Sequence, residues 1–115
     1  MMVAAGRHLN MVAAIVEINQ TRVAEALSVD QSTVNKWFAG TRLPPPYHMA
    51  TFADLFGCSL EFIYRGKIGG PMRRDLELRL VARFPRLVDP EAPEVEVPMA
   101  PGRPSKAKAR APENA

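Results

Sequence analysis

Between Asn19 and Gly40 the chain has room for two short helices and almost nothing between them. Val23, Ala24 and Leu27 recur at helical spacing, which predicts a helix over Gln20 to Leu27 with Asn19 as its N-cap. Ser28-Val29 is a tight break. Asp30 can cap a second helix, Gln31 to about Phe38, where its charge suits a helix N-terminus, and Gly40 supplies the stop. Two short helices joined by a three- or four-residue turn are the helix-turn-helix pattern.

The surrounding sequence also reads as helices, with no period-two alternation bounded by hairpin turns, so the expected class is all-α. Leu9, Val12, Ala13 and Val16 make the inward stripe of a helix from Arg7 to Glu17. Leu43-Pro44-Pro45-Pro46 must be extended up to its last proline, which can open a fourth helix, Pro46 to Phe56, ended by Gly57. Met49, Phe52, Ala53 and Phe56 line its inner face, with Leu55 at the edge. Ser59 caps a short fifth helix, Leu60 to Tyr64. A last helix, about Met72 to Phe84, carries Leu76, Leu80 and Phe84 on one stripe, which can either cover the five-helix core or meet its copy in a dimer.

Composition bounds the rest. A chain of 115 residues and 12.7 kDa holds one domain and a tail. Apolar runs are short and broken, so no membrane-crossing helix and no signal-peptide pattern is expected. One cysteine, Cys58, cannot form an internal disulfide; an intracellular, cytoplasmic setting is expected, with Cys58 a buried filler. His8 and His48 have no ligand-spaced partners, so neither a metal site nor a cofactor is expected. Residues 89–115 hold six of the eleven prolines and no aromatic residue. Their charge is blocky, with Asp89, Glu91, Glu94 and Glu96 first and Arg103, Lys106, Lys108 and Arg110 after. That composition predicts a disordered tail. The expected organisation is therefore a helix-turn-helix domain over 1–70, a C-terminal helix over 71–88 that can serve dimerisation, and the tail. Residues 1–88 carry eleven Lys/Arg against seven Asp/Glu, so the basic excess belongs to the folded part.

The second helix of the pair has two distinct flanks. At about 100° per residue from Gln31, Asn35 falls near 40°, Ser32 near 100° and Lys36 near 140°, while Thr33, Val34, Trp37 and Phe38 fill the opposite side. One flank is all amide, hydroxyl and ammonium, with no carboxylate to repel phosphate. An α-helix fits the major groove of DNA, where amides pair bidentately with adenine and Lys reaches guanine. Gln31, Ser32, Asn35 and Lys36 are the candidate base readers; Lys36 can equally bind phosphate. Gln20, capped by Asn19, lies where free backbone N–H groups and a side-chain amide can clamp a phosphate.

The stretch N-Q-T-R-V-A-E-A-L-S-V-D-Q-S-T-V-N-K-W-F-A-G, residues 19–40, resembles the Cro and phage-repressor type of helix-turn-helix domain. Gln20, Ala24, Leu27, Val29, Gln31-Ser32-Thr33-Val34, Trp37 and Gly40 fall in that family's register, as do Arg42-Leu43-Pro44, Leu55-Phe56-Gly57 and Ser59 to Ile63. The resemblance covers about residues 6–66. It implies a five-helix lambda-repressor-like fold, here with an extra C-terminal helix. It implies base contacts from Gln31 and Ser32, and phosphate contacts at Asn19-Gln20 and Thr41-Arg42. It also implies double-stranded DNA as partner, a homodimer, and a bacterial or phage-encoded repressor acting by operator occupancy. The alternative is a protein-interaction or antitoxin-like module that keeps the fold; no catalytic constellation points to an enzyme. Two departures stand out. Many members pair an Arg in helix 1 with a Glu late in helix 3, where this chain has Ala13 and Phe38, so Phe38 is expected to be buried near Ala13. Ser28 stands where Gly is common, a strained choice if the turn needs positive φ. In the tail, Gly102-Arg103-Pro104 has an AT-hook core with poor flanks and reads as a basic linker.

Overall fold

The computed structural model describes residues 1–102. Six α-helices follow in order: α1 (Met2–Val16), α2 (Gln20–Leu27), α3 (Gln31–Ala39), α4 (Pro46–Phe56), α5 (Leu60–Arg65) and α6 (Arg74–Arg83). A 3-10 turn, Pro85–Leu87, closes the helical part, and no strand occurs among the described residues. The all-α, lambda-repressor-like fold expected from the sequence is the fold observed.

The helix ends show why the chain breaks where it does. The Asn19 side chain accepts a hydrogen bond from the Arg22 N–H at 2.8 Å, and the Ser59 hydroxyl accepts one from the Phe62 N–H at 3.0 Å. Asp30 precedes α3 but makes no side-chain cap bond; its contribution there is charge alone. Pro46 opens α4, where its missing N–H leaves no orphan donor, and Gly40 and Gly57 end α3 and α4 in the left-handed region. Ser28 also sits there, at φ 59°, so the expected strain in the turn is present.

α1 is the spine of the core. It begins five residues earlier than the apolar stripe indicates, because Gly6 packs against the end of α3 and Ala5 is buried beside it, which extends the buried face. A Cβ at Gly6 would lie 2.7 Å from the Trp37 carbonyl oxygen and 2.9 Å from that of Phe38, so only glycine lets the two backbones approach this closely. Leu9, Val12, Val23, Val34, Trp37, Phe52, Phe62 and Ile63 fill the centre. Phe38 is 2% exposed and shares that cluster with Ala13, so the position left by the missing ion pair is occupied by apolar packing.

α6 lies on α1, and Leu76, Leu80 and Phe84 are buried within the one chain. Of the two roles open to this stripe, it takes that of covering the core. Its arginines also close α1: Arg79 Nη2 donates to the Ile15 carbonyl at 2.7 Å, and Arg83 Nη1 to that of Ala14 at 3.4 Å. These are carbonyls in the last turn of α1, which have no partner within the helix, and cations suit that end of the dipole.

The tail corrects the sequence-based expectation. Residues 89–102 are not loose; they run back along the helical body as an extended strap. Ala92 and Ala100 are buried, and Val95 and Val97 pack half-buried against the core with Glu94, Glu96 and Pro98 facing out. Two features offset the ordering cost that the composition implies. Four prolines stiffen the segment before it docks, and its carbonyls find protein donors. Residues 103–115, with the Arg103-Pro104 part of the hook motif and the basic block, lie outside the described residues.

Candidate nucleic-acid interface

α2 and α3 pack directly on one another across the Ser28 turn, and the flank of α3 opposite Val34 and Trp37 faces away from the core. Ser32, Asn35 and Lys36 are exposed there, and Gln31 is half-buried at the α2 side. Beyond the helix, Thr41 and Arg42 are exposed, and the Thr41 N–H donates to the Lys36 carbonyl at 3.0 Å, which folds the chain against the last turn of α3. Among the described residues, Arg22, Lys36 and Arg42 have no carboxylate within ion-pair distance, so their charge is not neutralised by the protein itself.

Gln20 is placed differently from the others. It is 1% exposed and all its polar groups are engaged. Its side-chain Oε1 accepts from Asn35 Nδ2 at 3.1 Å, tying the start of α2 to α3. Its Nε2 donates to the Ala100 carbonyl at 3.0 Å, and its backbone N–H donates to the Pro101 carbonyl at 2.8 Å. Thr21 continues the pattern, its hydroxyl lying 3.1 Å from the Gly102 carbonyl oxygen and 3.0 Å from the Gln31 amide. One hydroxyl proton cannot serve both acceptors. The arrangement that satisfies every group has the Gln31 amide turned so that its NH₂ donates to Thr21, whose hydroxyl then donates to Gly102. Asn19, half-buried, spends its side chain on the Arg22 cap. Four of the eight predicted site residues thus form one network or its cap, Asn19, Gln20, Gln31 and Asn35, while Ser32, Lys36, Thr41 and Arg42 stand open to solvent.

Two residues that the sequence reading passed over complete the site. Asn10 on α1 is 6% exposed; its Nδ2 donates to the Phe38 and Gly6 carbonyls, both at 3.0 Å, and its Oδ1 accepts from the Ala100 N–H at 2.8 Å. It therefore caps the end of α3 from outside and holds the strap. Thr21 is the second. The signal for Asn10 was its place beside Leu9 on the inner side of α1, where an amide must find partners.

Burial pushes the Cys58 thiol up to about 12, so it is not a reactive thiolate. No group of three His, Cys, Asp or Glu among the described residues is arranged to hold a metal ion. No helix of the described residues is long and apolar enough to cross a membrane.

Residues 16–63 match the family model described as Helix-turn-helix, a span running from the end of α1 to α5 and containing all eight predicted contact residues. No curated protein and no solved structure matches the chain. The register of α2 and α3 and their caps agree with that match: residues 16–63 form a helix-turn-helix segment of the Cro type, the kind found in DNA-binding regulators.

Proposed function

We propose that the protein is a sequence-specific DNA-binding transcription regulator of the prophage-repressor kind, acting by occupying an operator without catalysis, in the cytoplasm of a bacterium. The observation that carries this reading is the outer flank of α3: Ser32, Asn35 and Lys36 exposed, Gln31 at its edge, no carboxylate among them, and Arg42 free of acidic partners close behind. On this reading α3 lies in the major groove. Gln31 and Ser32 meet base edges first, Asn35 and Lys36 follow, and Asn19, Gln20, Thr41 and Arg42 fix the register on phosphates. Two copies on half-sites about one helical turn apart are the expected arrangement. The α6 stripe is spent inside the protomer, so the pairing surface falls to exposed residues such as Leu55 and Leu60 at the α4–α5 junction.

Selection from random duplexes tests the proposal. It should return a consensus with a two-fold repeat, and affinity should fall steeply as salt rises, through counterion release. Recovery of no sequence, together with salt-independent retention on DNA, would refute it. The second reading, a protein-interaction module that keeps the fold, draws on the coverage of Gln20 by the strap. It predicts no duplex binding even in dilute buffer.

A further inference from the structure

The start of α2 is occupied by the chain's own carbonyls. Three consecutive ones, from Ala100, Pro101 and Gly102, meet Gln20 Nε2, the Gln20 N–H and the Thr21 hydroxyl at 3.0, 2.8 and 3.1 Å. A DNA phosphate presents the same chemistry, a cluster of acceptor oxygens, to a helix N-terminus. The strap places its acceptors on these donors while Gln20 is almost fully buried, so a phosphate and the strap cannot hold them together.

The strap is anchored by hydrogen bonds at its two ends and is only half-buried between them. At one end the Arg86 Nε donates to the Ala92 carbonyl at 2.8 Å, and at the other the Ala100 N–H donates to Asn10 Oδ1 at 2.8 Å. Between them Val95 borders a cavity of about 220 Å³, lined also by Arg7, His8, Met11, Phe84 and Leu87. An apolar side chain on the edge of an open, partly polar pocket lacks close-packed neighbours on that side. A segment with few buried contacts, held at its ends, belongs to the low-stability part of a fold, which opens before the core does.

We propose that residues 99–102 are a built-in competitor for duplex phosphate at the start of α2, so that the closed protein is held back from DNA and binding requires the strap to lift. The inference rests on the DNA-binding reading above and adds its regulation. A strap that is closed about nine-tenths of the time lowers apparent affinity about tenfold, since only the open fraction binds.

The test is a titration of full-length wild type and Ala100→Trp with a fluorescein-labelled, mixed-sequence duplex of about two helical turns at low salt. Tryptophan cannot enter the buried Ala100 position and leaves every charge in place. The variant should bind about tenfold more tightly, with unchanged helical circular dichroism. Pro98→Gly with Pro101→Gly, which loosens the strap without touching the core, should give a smaller gain of about two- to threefold. Hydrogen exchange supplies a separate readout: the Ala100 N–H, protected in the free protein, should lose protection at saturating duplex. Equal or weaker binding by both variants, or an Ala100 N–H still protected in the complex, overturns the proposal while leaving DNA binding intact. Absence of binding by wild type and variants alike overturns the DNA-binding reading, and the strap proposal with it.

Discussion

Asn10→Ala is a substitution whose consequence can be worked out bond by bond from the structure. The residue lies away from the proposed DNA contacts, yet its amide serves two groups that have no other hydrogen-bond partner among the described residues. The Phe38 carbonyl belongs to the last turn of α3, where the intrahelical ladder has ended, and its bond comes from Asn10 Nδ2. The Ala100 N–H, one of the two between Pro98 and Pro101, donates to Asn10 Oδ1. The third bond, to the Gly6 carbonyl, is expendable, because that oxygen is already in the α1 ladder. Truncation to alanine strands one buried acceptor and one buried donor, each costing about 1–3 kcal/mol. The strap can swing out and rehydrate Ala100, which limits the second cost. We therefore expect a loss of about 2–4 kcal/mol, against a total of roughly 5–15 kcal/mol for a domain of this kind. Trp37, the single tryptophan and 1% exposed, reports unfolding by fluorescence. The urea midpoint should fall by roughly 1–3 M at an unchanged slope. Asn10→Leu, which restores volume without the amide, should recover little of it. If alanine costs less than about 0.5 kcal/mol, or leucine restores wild-type stability, the hydrogen-bonding role argued for this side chain is wrong.

Three other predictions test separate parts of the structure. Ser28→Gly removes a left-handed non-glycine residue whose side chain is exposed, and should stabilise by ~0.5–1 kcal/mol, seen as a Tm higher by roughly 2–6 °C; a lower Tm would show that the turn strain is compensated. Lys36→Met should reduce the slope of log affinity against log salt by about one if Lys36 binds phosphate; if it reads a base instead, discrimination between selected and random duplexes should shrink by about 1–3 kcal/mol. His8, whose Nδ1 donates to the Ile63 carbonyl at 2.9 Å, has its pKa lowered from 6.5, first by burial and also by the nearby Arg7 charge, against the opposing pull of that carbonyl. The unfolded chain therefore binds the proton more readily. Stability from the neutral ring is fully present above pH 6.5 and is lost as pH falls below it, so the urea midpoint should drop between pH 7 and 5, and less so in His8→Gln.

How far the fold can be read from residues depends on how each end is signalled. α2 and α4 begin and end where the sequence reading puts them because Asn19, Pro46 and Gly57 mark the ends with local chemistry. α1 has no such mark at its start, since Met1 makes no side-chain cap, and its first turn is held by packing of Ala5 and Gly6 that only the tertiary structure reveals. The surface position of Ser32, Lys36, Thr41 and Arg42 is legible from a helical wheel and a family register. The covering of Gln20 is not. Its partners are main-chain carbonyls in a proline-rich stretch whose composition argues for disorder, and a carbonyl leaves no trace in a residue type. The alternation of Val95 and Val97 with Glu94, Glu96 and Pro98 was the faint signal, visible once the strap is seen to lie on a core.

The guanidinium groups of Arg79 and Arg83 on the last turn of α1 bear on what counts as one cooperative unit. The family match starts at residue 16, yet Leu9 and Val12, both wholly enclosed, precede it, and the arginines that finish α1 come well after it. Transplanting residues 16–63 alone would move the reading surface without its floor, and such a graft should behave as a molten collection of short helices. The heritable module and the thing that melts as a whole have different borders in this protein.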